Sequence, residues 1–321
     1  MFGRKIIMII LSGVLIMFWN LENFFDHRDG GYSSSDAEFS AAGSRHWTFG
    51  RLLRKCEGIA KTIFLAAEEA GGLPDIIGFA EVENKAVLYT LLKRTLLDKC
   101  GYKIVHFESP DRRGIDVALI YRAEALALRA ARPVRITAAQ GQDSLRTRDI
   151  LLAEFLQQGG VSFSVAVNHH PSKFGGGESQ WRRLAALEAL GLVRDSLAAA
   201  GDSLFVACGD FNDDASNEVF ADFAAKYSLK HPAAALSAAG EGTIRFDGRW
   251  ELIDFFLFDK AVEAQMKILR FPHLLTRDNV HSGEKPLRTY SGPRYLGGLS
   301  DHLPILLSVK NLPNRQIFKK E

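Results

Sequence analysis

Ser203-Leu204-Phe205-Val206-Ala207-Cys208-Gly209-Asp210-Phe211-Asn212 is an apolar run that stops at a carboxylate and an amide. A short apolar run bounded by turn residues fits a buried strand. In an extended chain Asp210 and Asn212 face the same way, and Phe211 turns to the opposite side. An anion and an amide then converge on one point while the ring enters the core. Asp and Asn also serve ordinary turns, so the stretch gains meaning only if other strands end alike. Asp213 and Asp214 read as caps for the following turn.

Other strands do end alike. Residues 14–19 form an apolar run that closes at Asn20, and residues 75–80 close at Glu81. Residues 150–157 and 161–167 read as paired strands, the second closing at Asn168-His169-His170-Pro171-Ser172-Lys173. Residues 252–258 carry Asp254 in an otherwise apolar strand, and Asp301-His302 open the last strand, 302–309. Residues 103–107 and 115–121 are further strands. Apolar residues at helical spacing mark helices over 51–70, 86–97, 181–197 and 217–225. Residues 26–50, rich in Gly, Ser and Asp, read as a long surface loop.

Strands and helices alternate along the whole length, with no linker and no short-period repeat. We therefore expect one α/β domain over residues 14–311, followed by a polar tail at 312–321. Ligand sites in such sheets favour the carboxyl ends of strands.

Composition narrows the function classes. The 321 residues carry a net charge of only +2, so no broad cationic field draws in nucleic acid, and any phosphate attraction must be local. Cys56, Cys100 and Cys208 are odd in number and widely spaced; that pattern fits neither a disulfide framework nor a zinc site. Residues 1–13 contain Arg4 and Lys5 before an apolar run, as a secretory leader would. Export and cytoplasmic residence both stay open.

Phosphoester hydrolysis needs a positive centre, a base for water and a proton source for the leaving oxygen. A hard cation prefers oxygen ligands, and Glu81 at a strand end supplies one. Glu83, two residues on, reads as supporting. Asn20 would bind metal or phosphate, or simply make a turn. His302 would act as a base or a cationic phosphate partner, and it needs a carboxylate to fix its tautomer. Asp254 is the candidate, because an acid in an apolar run is rarely buried alone. His170 would donate to the phosphate and Lys173 would add charge. Of Arg112, Arg113, Arg182, Arg183, Arg288 and Arg294, one or two would touch substrate phosphate. Taken singly, each residue also has an ordinary structural reading. Their shared position at strand ends is what counts.

Read together, these segments resemble the endonuclease/exonuclease/phosphatase superfamily of DNase I-like enzymes. The matching pieces are Trp19-Asn20-Leu21-Glu22-Asn23-Phe24-Phe25, Glu81 in Ala80-Glu81-Val82-Glu83-Asn84, Arg113-Gly114-Ile115-Asp116-Val117-Ala118, residues 168–173, Gly209-Asp210-Phe211-Asn212-Asp213, Trp250-Glu251-Leu252-Ile253-Asp254 and Ser300-Asp301-His302-Leu303-Pro304-Ile305. The resemblance implies a four-layer α/β/β/α sandwich. It implies Glu81 as the main metal ligand with Asn20 and Asp301 nearby, and Asp210 and Asn212 orienting water and phosphate. His302 would be held by Asp254, and His170 would contact the scissile phosphate. Magnesium is the implied metal, with manganese and calcium as alternatives.

The Glu-Val-Glu-Asn and Asn-His-His-Pro-Ser-Lys variants look most like bacterial extracellular-nuclease-type members. The Gln-Glu-Thr of repair enzymes and the Trp-Cys-Asp-Arg of inositol phosphatases are absent. The expected activity is metal-dependent phosphodiester hydrolysis, most of all as a nuclease. The alternative is a phosphomonoesterase, or a sphingomyelinase or inositol-phosphate type of enzyme on the same machinery. The expected partner is nucleic acid or another phosphate ester, and the chain would act as a monomer. A scaffold that had lost catalysis should show decay at Asp210, Asn212 or His302, and none has decayed.

Overall fold

The computed structural model describes residues 13–31, 33–140, 143–157, 160–173, 179–201 and 204–311. The leader expected over 1–13, apart from Gly13, and the tail at 312–321 lie outside these. The main strands are β1 Val14–Phe24, β2 Ile76–Val82, β3 Tyr102–His106, β4 Asp116–Arg122, β5 Leu126–Val134, β6 Ile150–Gln157, β7 Ser162–His169, β8 Leu204–Asp210, β9 Leu229–Lys230, β10 Asp254–Asp259, β11 Glu263–Ile268 and β12 Ile305–Asn311. The main helices are α1 Ser34–Glu38, α2 Phe49–Ala70, α3 Lys85–Lys93, α4 Gln180–Ala199 and α5 Glu218–Lys226.

The strands form two six-stranded sheets, ordered β11-β12-β1-β2-β4-β3 and β9-β10-β8-β7-β6-β5. Each is antiparallel except for one central parallel pair, β1 with β2 in one sheet and β7 with β8 in the other. These central strands are covered on both faces, so they read as continuous apolar runs rather than alternating ones. Ile16 and Phe18 join the core containing Val165 and Val167 of the second sheet. Met17 and Trp19 join Leu52, Ile59 and Ile63 of α2. On the far side Ala186 and Leu190 of α4 pack with the second sheet. The result is the expected sandwich: helices, sheet, sheet, helices. At Gly78 the sheets come close; a Cβ there would lie 3.2 Å from both Phe18 and Val167 side chains.

Helix α2 begins where Thr48 accepts a hydrogen bond from the Arg51 amide, and it ends at Gly71, whose φ is 77°. A left-handed C-terminal residue favours glycine. Each fully buried Ile or Leu on its inner face is worth about 1.5–3 kcal/mol. Among the described residues, no helix is long and apolar enough to cross a membrane.

Two expectations need correction. Residues 26–50 are not simply a surface loop: they contain α1, and Phe39 and Trp47 are buried. Trp47 donates from Nε1 to the Phe25 carbonyl at 2.9 Å, so aromatic burial outweighs the Gly/Ser-rich composition. Strand β1 continues past Asn20 to Phe24, with a break in its register. Strands β5 and β11 are half exposed at sheet edges and so lack the long continuous apolar run that marks the central strands.

Candidate active site

The two parallel pairs end side by side, and most of the polar cluster sits at their carboxyl ends. Asn20 of β1 is paired in register with Ala80, the residue before Glu81. Asp210 of β8 is paired with His169 on one side and Asp254 on the other. Gly209 allows this crowding, since a Cβ there would fall 2.4 Å from the Asn168 carbonyl oxygen. Asp301 and His302 enter from the loop before β12. That loop is tied to β1 by Ser300 Oγ donating to the Asn20 carbonyl at 2.6 Å and Trp19 Nε1 donating to the His302 carbonyl at 2.9 Å.

Asp210 is the hub. Its Oδ2 accepts from Asn20 Nδ2 at 2.9 Å, and its Oδ1 accepts from the Asn212 amide at 2.9 Å. His302 Nε2 lies 3.9 Å and His169 Nε2 3.6 Å from the same Oδ2. Burial, with Asp254 alongside, pushes the Asp210 carboxyl up to about 7.

His302 Nδ1 meets Asp254 Oδ2 at 2.8 Å. The same Asp254 oxygen accepts a short hydrogen bond from Thr243 Oγ1. Burial works against charge on this imidazole. Asp254, through charge and hydrogen bond, together with Asp210 and Asp301, overcomes it and holds the ring well above its ordinary value. His302 is therefore a positively charged ring fixed by one carboxylate and aimed at another.

His170 does not fit its expected role. Its ring is buried edge-on against Phe211, with centroids 4.8 Å apart, and burial drives it down to about 3. Strand alternation sends the adjacent residue the other way, so His169 is the histidine that reaches Asp210. Burial, then Arg148 and Arg113, push His169 well below its ordinary value, and it faces the cluster as a neutral ring. The His-His pair alone did not tell which ring points inward; the register of β7 against β8 does.

A second group of oxygen donors lies on the other side of Asn20. Glu81 has φ 60°, a left-handed conformation uncommon for a side-chain-bearing residue. Its Oε2 accepts from the Asn23 amide at 2.7 Å, and Arg113 lies at 3.3–3.4 Å. Burial raises the Glu81 carboxyl, but Arg113 and the Asn23 amide outweigh it, and the group stays ionised below its usual range. Asp301 is held by Arg288 at 2.7 Å, and Arg288 also meets Glu22 at 3.3 Å. Lys55 is buried and donates to the Glu22 carbonyl at 2.6 Å; burial lowers it to about 8. Glu22 and Ser300 stand in the matching motifs with no role assigned there, and Lys55 and Thr243 stand outside those motifs; only the folded register brings all four to the site.

Among the described residues, Asp210, Asp254 and His302 offer ligand atoms within 4.8 Å of one another. His302 Nδ1 and Asp254 Oδ2 engage each other, both Asp210 oxygens accept from Asn20 and Asn212, and a charged imidazole has no lone pair for a cation. Glu81 and Asp301 suit a hard divalent cation better. Both are carboxylates, both are partly exposed, and Asp301 Oδ1 has His302 Nε2 no nearer than 3.8 Å. The Asn20 side-chain oxygen Oδ1 accepts from the Glu22 amide at 3.0 Å and keeps a second lone pair.

Lys173 pairs with Glu251 at 3.3 Å and Asp213 at 3.5 Å. Asn168 is fully buried and bonds backbone carbonyls of β7 and β8. Arg183 meets Asp213. Arg113 and Arg288 are thus the two arginines, of the six considered, that touch the acidic cluster.

Residues 15–311 match the sequence profile of the Endonuclease/Exonuclease/phosphatase family. The chain belongs to that family. Its members are metal-dependent phosphoric ester hydrolases. Human Nocturnin is 24% identical over 255 residues, 73% of this chain and 54% of Nocturnin; the chain spans about half the length of that relative. Solved structures share the fold. The human Nocturnin catalytic domain with bound sulfate anion has a TM-score of 0.57 at 19% identity, covering 92% of this chain and 94% of that one. A Bacteroides thetaiotaomicron mannosyl-6-phosphatase gives 0.58 at 16%, covering 92% and 99%. TDP2 of D. rerio complexed with single strand DNA product gives 0.55 at 16%, covering 93% and 99%.

Proposed function

We propose that this chain is a nuclease that uses water and a divalent cation, magnesium first among the candidates, to cut phosphodiester bonds. The observation that carries the reading is the approach of two imidazoles to one buried carboxylate, 3.6 and 3.9 Å from Asp210 Oδ2, beside a separate oxygen-donor set at Glu81 and Asp301. A bound cation would supply positive charge for the phosphate and the leaving oxygen. Asp210, poised near neutrality, orients water and accepts its proton. Asn212 fixes one Asp210 oxygen. His302, kept positive by Asp254, offers Nε2 to a phosphate oxygen, and neutral His169 offers a hydrogen bond from the other side. Asn20 bridges the two groups.

The nuclease form is supported by the Asn-His-His-Pro-Ser-Lys variant and by the fold shared with TDP2, whose structure holds single strand DNA product. A phosphomonoesterase reading is favoured by one observation, the shared fold with a mannosyl-6-phosphatase. A panel of plasmid DNA, single-stranded RNA and DNA, sphingomyelin and sugar or inositol phosphates, run with magnesium and with chelator, separates them. Magnesium-dependent oligonucleotide products support the nuclease. Release of inorganic phosphate without nucleic-acid cleavage refutes it.

A further inference from the structure

Past the end of β1 lies a cavity of about 380 Å³ that the catalytic reading does not use. Its walls come from the chain just after β1, from the start of α2 and from the outer face of α3. Two aromatic rings on the wall are open to solvent, Phe49 at 37% and Tyr89 at 60% exposure. The His27 ring lies 4.9 Å from the Phe49 ring. Three cations, Arg28, Lys93 and Arg94, line it against one carboxylate, Asp26. Lys93 is engaged with Asp98, whereas neither Arg28 nor Arg94 forms an ion pair among the described residues.

The groove is coupled to the site. The Asn23 amide holds Glu81, and three residues later the Asp26 amide holds Glu83 at 2.6 Å. Three residues of extended chain span at most about 11 Å. Stacked nucleotides advance about 3.4 Å each along a strand. A nucleic-acid strand with its scissile phosphate beside Glu81 that follows this segment therefore meets the Asp26 edge of the groove within about three nucleotides.

We propose that this groove binds a single-stranded nucleic-acid segment flanking the scissile phosphate. One base stacks on Tyr89, the more exposed ring, and a backbone phosphate pairs with Arg94. Exposed rings interleaved with unpaired arginines match the stacking platform and cationic track that single strands require. A duplex keeps its base faces stacked on one another, so the rings select an unpaired strand. The inference rests on the nuclease reading for its position, but its binding chemistry is tested separately.

The test uses the full chain with magnesium and two readouts. One is fluorescence anisotropy of a dye-labelled single-stranded decanucleotide, measured in an Asp210→Asn background to prevent cleavage. The other is hydrolysis of methyl p-nitrophenyl phosphate, a single-ring ester too small to span both site and groove. Tyr89→Ala with Arg94→Ala should weaken decanucleotide binding about tenfold or more. The double variant should lower the salt slope by about 0.7, one phosphate contact, and leave small-ester hydrolysis unchanged. Unchanged affinity overturns the proposal, and so does an equal loss on the small ester. If the wild-type chain cuts no nucleic acid but hydrolyses another phosphate ester, the nuclease reading fails alone. The groove is then judged by anisotropy: binding that depends on Tyr89 upholds it, and no binding refutes it.

Discussion

Asp254 and His302, 48 positions apart, meet at 2.8 Å between Oδ2 and Nδ1. The contact exists because Asp254 pairs in register with Asp210, while the loop before β12 is pinned to the end of β1. One carboxylate thereby sets the tautomer, orientation and charge of the imidazole that faces the other carboxylate.

Replacing Asp254 by Asn keeps the shape and removes the charge. His302 should then lose its elevated pKa, and kcat should fall about 10³-fold, within the range of a positioned acid or base. Titration of the His302 ring by NMR, beside the kinetics, checks both. A lower rate with an unshifted ring would assign the loss to something other than this pair.

The two adjacent histidines should separate cleanly. His169→Ala should cut kcat about 10²-fold, because its Nε2 faces Asp210. His170→Gln should retain most of the activity, because that ring packs on Phe211 away from the cluster. Equal kinetic losses would show that His170 also reaches substrate.

His170 also predicts a pH dependence of stability. Its folded value is about 3 against an ordinary 6.5, so its stabilising effect is complete above about 6.5 and is lost as pH falls toward 3. At pH 4.5 the loss is about 2–3 kcal/mol. Urea unfolding of wild type and His170→Gln at pH 7 and pH 4.5 measures it. The variant should lose less stability between the two pH values by about that amount. Identical losses would contradict the assignment.

For the cation, Glu81→Gln should weaken magnesium activation, raising the concentration for half-maximal rate by at least about tenfold, with the far-UV spectrum unchanged. Chelator should abolish wild-type activity, and added magnesium should restore it. Unaltered activation in Glu81→Gln would move the cation elsewhere.

The central strands and the site were legible for one reason: they combine long apolar runs with an abrupt polar end. Asn20, Glu81, Asp210, Asp254, Asp301 and His302 all stand at such junctions, and the fold brings them together. What stayed hidden depends on register and long-range contact. His169 and His170 are equally polar in sequence, and only the alternation of β7 against β8 turns one inward. Thr243 looks like an ordinary loop residue, and Ser300 only like a motif neighbour of Asp301 and His302, until their hydroxyls are seen on Asp254 and on the Asn20 carbonyl. The edge strands β5 and β11, half exposed, carry no long apolar run to announce them.

Asp210 is where the proton chemistry, the imidazoles and the link to the oxygen donors meet. The most direct measurement is single-turnover cleavage of a single-stranded oligonucleotide by Asp210→Asn in saturating magnesium. The rate should fall at least about 10³-fold below wild type with an unchanged melting curve. Cleavage at the wild-type rate would contradict it.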